Sequence, residues 1–208
     1  MIGVYGGTFD PVHYGHLRTA LEVSEIFGLD AVHLIPSATP PHRKTPHAAA
    51  IMRAAMLQLA VANHPKLLVD SRELQRTGPS YMVDTLKSLQ QDLPTQTLLL
   101  FIGTDAFNQL TGWHQWQDLF RYAHVVVITR PSYQQQILAE FFSLRLTTDI
   151  NDLAHSQAGK LLFQPVTQLD ISATAIRDMI AKHRNPGFLL PDAVIDYIKH
   201  HRLYTPLN

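Results

Sequence analysis

The chain has 208 residues, of which 46% are hydrophobic and 16% charged, which is enough apolar material for a core and unlike a disordered segment. Its formal net charge is +0, so no overall basic field draws in a polynucleotide, and any phosphate chemistry must rest on charge placed locally. The absence of cysteine excludes disulfides, thiolate zinc sites and a cysteine nucleophile, and fits a reducing compartment. The chain enters MIGVYGG without the basic stretch and apolar run of a secretory signal, and no apolar run approaches the ~20 residues of a membrane helix. A cytoplasmic protein that contacts neither membrane nor nucleic acid is therefore expected.

Short β-rich runs alternate with longer stretches of helical spacing. Residues 2–5 (IGVY) form the first predicted strand, followed by a helix over 15–27. A second strand over 31–35 (AVHLI) precedes a helix over 48–63, and a third over 67–70 (LLVD) precedes a helix over 80–91. The strand over 98–102 (LLLFI) leads to a predicted helix over 113–122, then to a strand over 125–129 (VVVIT) and a helix-like stretch reaching Phe142. Residues 144–159 are polar and read as an irregular excursion, followed by a last strand over 161–164 (LLFQ). Helices over 172–182 and from Pro191-Asp192 to His201 close the chain. Several runs are apolar at consecutive positions, as strands covered on both faces are. The alternation predicts an α/β fold with a mostly parallel sheet and a C-terminal helical part from about residue 170, within one domain over 1–208.

The first turn carries the strongest chemical signal. Residues 3–17, GVYGGTFDPVHYGHL, take a strand through a double glycine and a loop into a helix, which puts the loop at the carboxyl end of a parallel strand, where ligands bind. Gly6 and Gly7 allow the backbone to approach a phosphate, and the helix start that follows favours an anion. No Gly-Lys-Ser/Thr follows, and the glycine spacing is not that of the dinucleotide fingerprint. His13 and His16, three residues apart at a helix start, can point the same way, and each can donate to a phosphate oxygen without a metal. Two surface histidines beside a glycine turn is the plain alternative for such a pair alone; the preceding Gly-Gly, the intervening Gly15 and the leading strand favour the phosphate site.

GGTFDPVHYGHL resembles the signature of the nucleotidyltransferase superfamily with the T/HxGH motif, here His13-Tyr14-Gly15-His16. Within that superfamily the chain is similar to the bacterial nicotinate mononucleotide adenylyltransferases, from Gly3 to about Tyr204 and least between Ser132 and Gly159. The resemblance implies a Rossmann-like, doubly wound fold. It also implies an ATP site at Gly6, Gly7, Thr8, Phe9, His13 and His16. Further stations follow from it. Pro40 to Lys44, alone an ordinary basic surface loop, corresponds to a loop beside the active site, so that Arg43 or Lys44 reaches substrate phosphate. The stretch from Thr77 to Tyr81 opens a helix for which Thr77 or Ser80 is a candidate cap. By resemblance to G-x-S-Y-x-x-x-T-L, Ser80, Tyr81 and Thr85 belong to the pyridine-nucleotide wall. Gly103 and Asp105, which alone fit any turn, correspond to an element lining the ATP pocket. Trp113 and Trp116 lie at helical spacing, a pair that is most often core. The resemblance puts Trp113, with His114 beside it, against the pyridine ring and leaves Trp116 to packing. Arg130 positions phosphate or serves as an ion-pair partner. Ile171, Ser172 and Arg177, in ISATAIR, correspond to the segment that closes over the triphosphate.

A mononucleotide phosphate has a second pKa of about 6 and is its own nucleophile at neutral pH. An enzyme joining it to ATP needs alignment and charge neutralisation rather than a general base. That matches a site of His, Arg, glycine and helix starts without a paired-carboxylate or Ser-His-Asp arrangement. His13, His16 and Arg177 are the expected catalytic residues. ATP is the co-substrate, nicotinate mononucleotide the second substrate, and Mg²⁺ rides mainly on phosphates and water with no protein ligand. The competing readings are a sister transferase acting on phosphopantetheine or nicotinamide mononucleotide, or with a cytidylyl donor, and a non-catalytic nucleotide sensor. Trp113 with the GPSY element argues against most sister transferases, and the joint presence of His13, His16, Ser172 and Arg177 argues against the sensor.

Overall fold

A computed structural model describes residues 1–39, 45–130, 133 and 137–205. The predicted runs become β1 (Ile2–Gly7), β2 (Ala31–Pro36), β3 (Leu67–Val69), β4 (Leu98–Gly103), β5 (His124–Thr129) and β6 (Leu161–Pro165). Among the described residues they form one sheet in the order β3-β2-β1-β4-β5-β6, and each paired neighbour is parallel. Crossovers leave β1 in one direction toward β2 and β3 and return in the other to β4, β5 and β6. The order therefore reverses between β1 and β4, the place where a doubly wound sheet opens a crevice at its carboxyl edge.

The consecutive apolar residues are explained by burial on both faces. In β4, Leu99 and Phe101 point into one core with helices α1 (Tyr14–Ile26), α2 (Ala50–Val61), α7 (Ala173–Ala181) and α8 (Asp192–His200). Leu98, Leu100 and Ile102 point into the other, with α3 (Met82–Asp92), α5 (Leu119–Tyr122) and α6 (Glu140–Ser143). Val126 and Ile128 of β5 face the first core, and Val125 and Val127 the second. Val194, Ile195 and Ile198 of α8 join Met56 and Leu57 of α2 in the first core, so the C-terminal helix is packed on the main layer. No helix among the described residues is long and apolar enough to cross a membrane.

Three expectations change. The helix over 113–122 is broken: a 3-10 turn over Trp116–Asp118 follows Gln115, whose φ of 49° is left-handed, and only α5 is α-helical there. A short helix α4 (Thr104–Asn108) occupies the turn after β4 instead. The cap of α3 is Tyr81, neither Thr77 nor Ser80. Trp116 does pack in the core, edge-on to Phe141 at 4.8 Å and tilted on Phe142 at 5.3 Å. The excursion over 144–159 is irregular, with one 3-10 turn over Ile150–Ala154. It is nevertheless anchored, because Leu153 is fully buried and His124 pins its far end. The His124 ring bonds the Ser156 carbonyl through Nε2 at 2.9 Å and accepts from the Lys160 amide at Nδ1 at 3.0 Å.

Candidate functional site

The crevice between β1 and β4 is a cleft of about 450 Å³. Its floor is the end of β1. A Cβ on Gly6 would lie 2.5 Å from the Met82 methyl group, and one on Gly7 would lie 2.8 Å from the Phe9 ring. The two glycines thus let α3 and the following loop close tightly around the strand end. Phe9, with a φ of 49°, turns its ring beneath the loop, edge-on to His16 at 5.0 Å and to Tyr5 at 6.1 Å.

His13 caps α1 with an extended backbone and only 6% of its surface exposed. Its ring stacks on His16 at 3.8 Å, and its amide N–H donates to His16 Nδ1 at 3.3 Å. Because Nδ1 accepts, neutral His16 carries its proton on Nε2, and His16 lines the cleft. Burial pushes the His13 imidazole down to about 4, so it is neutral at pH 7. Its Nδ1 is buried without a hydrogen-bond partner among the described residues, and His13 lies behind His16 rather than in the cleft lining. The glycine between the histidines has a steric reason: a Cβ at Gly15 would meet His13 Nδ1 and Cε1 at 3.0 Å.

Of the residues expected at a ligand surface, Gly6, Gly7, Thr8, His16, Ser80, Tyr81, Gly103, Asp105, Trp113 and His114 line this one cleft. Gly103 and Asp105 therefore share a wall with Trp113 and His114. Tyr81 stacks on His114 at 4.2 Å, and Trp113 is half-buried against the second core. The α3 helix start opens toward the cleft at Met82 and Val83, a place where amide N–H groups lack helical partners. Ser80 is a staple: its hydroxyl accepts from the Ala38 and Thr39 amides at 3.0 and 3.2 Å.

Two expected ligand contacts lie beneath the surface. Phe9 is 2% exposed and its ring supports His16. Thr85 is fully buried, its hydroxyl donating to Glu73 Oε1 at 2.7 Å and accepting from Arg76 at 2.6 Å. Arg130 is exposed and donates to Gln168 at 3.1 Å, away from the cleft lining. Arg43 and Lys44 fall outside the described residues.

Ile171, Ser172 and Arg177 come to the other side of the first loop. Ser172 caps α7 by accepting from the Ala175 amide at 3.1 Å, and Arg177 donates to the Asp10 carbonyl at 2.6 Å. The Leu169 carbonyl lies 3.5 Å from the space at Gly15, so the segment leading to α7 lies against the His13–His16 helix start.

Several site residues were not anticipated. Asp10, 4% exposed, accepts from the His47 and Ala48 amides and the Tyr204 hydroxyl. Arg53, 1% exposed, donates to the carbonyls of Thr8 and Ser37 at 2.6 Å each and to that of Ala48 at 3.1 Å. It ties the loops after β1 and β2 to the start of α2. A cation inside the apolar run IMRAAML was the available signal, since an arginine on an apolar helix face needs buried partners. Glu73, also 4% exposed, lines the cleft from a 3-10 turn over Arg72–Gln75.

A family model described as cytidylyltransferase-like matches residues 4–179. A protein of Acidithiobacillus ferrooxidans curated as a "probable nicotinate-nucleotide adenylyltransferase" is 45% identical over 97% of this chain and 94% of its own length. One of Methylococcus capsulatus, curated under the same name, is 46% identical over 99% of this chain and all of its own length. In fold, the chain is similar to Plasmodium falciparum nicotinic acid mononucleotide adenylyltransferase complexed with NaAD. That likeness has a TM-score of 0.73 at 17% identity and covers 98% of this chain and 96% of the other.

Proposed function

The chain belongs to the cytidylyltransferase-like family and, within it, to the nicotinate-nucleotide adenylyltransferases; from that premise we propose that it joins nicotinate mononucleotide to the AMP part of ATP and releases pyrophosphate, a step of NAD biosynthesis carried out in the cytoplasm by one domain spanning residues 1–208. The observation that carries the reading is the β1–α1 junction, where Gly6 and Gly7 floor the cleft and His16 faces it with Nδ1 occupied by the His13 amide.

The chemistry follows from that arrangement. A phosphate oxygen of the mononucleotide attacks the α-phosphorus of ATP, the bond from that phosphorus to the bridging oxygen breaks, and pyrophosphate leaves with the bond electrons. The dianionic nucleophile needs no base. His16 donates from Nε2 to phosphate oxygen, and the α1 helix start favours the same charge. Arg177 and the amides at the start of α7 meet the triphosphate from the far side of the loop. Trp113 and Tyr81 supply the flat apolar wall for the pyridine ring, with Ser80 holding that wall in place.

Among the described residues no group of three or more His, Asp or Glu side chains converges as a metal cage. The imidazole, hydroxyl and backbone donors of the cleft suit a Mg²⁺ ion carried by phosphate oxygens and water, a common mode for this cation. The ion neutralises triphosphate charge when bound.

The test is release of pyrophosphate from ATP and Mg²⁺ across candidate nucleotides, with turnover expected for nicotinate mononucleotide and not for phosphopantetheine. His16→Ala should lower kcat by about 100-fold with little change in either KM, the cost of one preorganised donor. A folded His16→Ala protein with near-normal turnover would remove His16 from the reaction.

A further inference from the structure

We propose that Tyr204, close to the C-terminal end of the chain, is a positioning residue for transfer: its hydroxyl occupies the Asp10 carboxylate and so keeps the Arg177 guanidinium available to the triphosphate. The inference rests on the adenylyl-transfer reading above.

Asp10 is the junction on which this depends. Its Oδ1 accepts from the Tyr204 hydroxyl at 2.8 Å and the Ala48 amide at 3.1 Å. Its Oδ2 accepts from the His47 amide at 2.8 Å, with His47 Nδ1 at 3.5 Å. Arg177 Nη1 does not close on this carboxylate. It donates to the Asp10 backbone carbonyl at 2.6 Å and stays 4.0 Å from Oδ2, while Nη2 donates to Thr174 Oγ1 at 3.2 Å. The guanidinium is thus held beside a buried anion whose other needs are already met.

Removing the Tyr204 hydroxyl takes one donor from Oδ1 and leaves a buried carboxylate short of partners, a state that draws in a nearby permanently charged side chain with room to move. Arg53 is not that cation, because its guanidinium is committed to the carbonyls of Thr8, Ser37 and Ala48. Arg177 is, and by closing the gap it would turn its charge from the phosphates to Asp10.

The local chain is built to deliver this hydroxyl. Arg202 has a φ of 51° in the turn that ends α8, where the Leu203 amide donates to the Ile198 carbonyl at 3.0 Å, and Tyr204 has a φ of 62°, left-handed conformations uncommon for non-glycine residues. Burial pushes the Tyr204 phenol well above its usual range, with Asp10 adding to it, so the group is a donor at any working pH. Because Tyr204 acts on Asp10 and Asp10 on Arg177, the end of the chain is coupled to the first loop across 194 residues.

A double-mutant cycle on pyrophosphate release tests this, using Tyr204→Phe, Arg177→Ala and the double variant, each with kcat and both KM values. Wild-type turnover is measured first; its absence would sink the adenylyl-transfer reading itself. With an active wild type, Tyr204→Phe should lower kcat/KM for ATP about tenfold and leave KM for the mononucleotide within about twofold. In the Arg177→Ala background the same change should cost less than about twofold, since coupled sites are not additive. Wild-type kinetics in Tyr204→Phe, or an undiminished loss in the Arg177→Ala background, would overturn the proposal. If Tyr204→Phe melts below the assay temperature, Tyr204→4-aminophenylalanine keeps a donor at the same reach. It should retain kcat/KM for ATP within about threefold, and a larger loss in that folded variant would overturn the proposal equally.

Discussion

Gly15→Ala isolates the geometry of the two histidines from the general stability of α1. Gly15 lies in the first turn of the helix, and its backbone is not left-handed, since Gly28, Gly78 and Gly159 are the described glycines with positive φ. Helix propensity therefore favours alanine by roughly 0.5–1 kcal/mol. Against this stands the overlap: the new Cβ would lie 3.0 Å from two ring atoms of His13 and 3.5 Å from the Leu169 carbonyl. Relief requires His13 to move by a few tenths of an ångström, yet its ring is 6% exposed and backed by His16 at 3.8 Å. Overpacking of this kind costs about 1–3 kcal/mol, so the net loss of stability is about 0–2.5 kcal/mol once the propensity gain is subtracted. The effect on rate is larger, because the displaced His13 tilts His16 and strains the bond from the His13 amide to its Nδ1. A catalytic donor displaced by about 1 Å can lose about 100-fold in rate, and a smaller tilt should cost about 30-fold in kcat. Pyrophosphate release at saturating substrates, read beside a thermal melt, gives both numbers. A kcat within about threefold of wild type would refute the claim that this gap sets the ring pair.

Trp113→Ala should weaken the mononucleotide by roughly 1–3 kcal/mol, the worth of one stacking platform, and leave ATP unchanged; calorimetry with each ligand alone decides it, and equal weakening of both would mark Trp113 as a core residue. Nicotinate mononucleotide should exceed nicotinamide mononucleotide in kcat/KM, because the free amides at the start of α3 suit a carboxylate, and of the two acids lining the cleft, Glu73 and Asp105, Glu73 already accepts from Thr85 at Oε1. A ratio near one would sink that preference and leave adenylyl transfer standing. Acid should destabilise the protein well above the carboxylate range: the folded-state pKa values of His13, at about 4, and His124 both lie below the ordinary value of 6.5, so the unfolded chain takes up the protons first. Their contribution is complete above about pH 6.5 and is lost as pH falls toward 4, with His13 alone worth about 3 kcal/mol; denaturant titrations from pH 7 to 4.5 should therefore show a steep loss that a His13→Asn variant flattens, and a flat wild-type profile would refute it.

The sheet was legible because burial on both faces leaves a simple mark. LLLFI is apolar at every position and VVVIT at all but its last, because β4 and β5 divide their side chains between two cores. Helix α1, with Gly-Gly before it and a histidine at its cap, was legible for the same local reason. The region after β4 was not. Its helical spacing of two indoles is real, but Trp113 belongs to the cleft wall and Trp116 to a cluster with Phe141 and Phe142, two environments that one continuous helix could not serve. The chain instead turns through Gln115 in a left-handed conformation, and nothing in the local sequence announces that turn. The cap of α3 was misplaced for a related reason. Ser80 has the chemistry of a cap, but two amides after β2 claim its hydroxyl from 41 and 42 positions away.

The same limit divides the histidines. His13 and His124 are both buried and both depressed in pKa, so neither composition nor burial tells them apart. Their nitrogens do. His124 has both ring nitrogens engaged by the backbone of the segment it pins, at Ser156 and Lys160, which makes it a strut. His13 keeps Nδ1 buried without a partner among the described residues and stacks on a ring that faces the cleft. A buried imidazole left short of one bond costs stability that a purely structural residue has no reason to forgo. Gly15, whose missing side chain keeps room around that nitrogen, extends the same logic to the backbone. The motif HYGH can be read in sequence as two phosphate donors, but the unequal parts they play become visible only in three dimensions. His16 lines the cleft with Nδ1 taken by the His13 amide, while His13 is buried at the helix start with its own Nδ1 unpaired among the described residues.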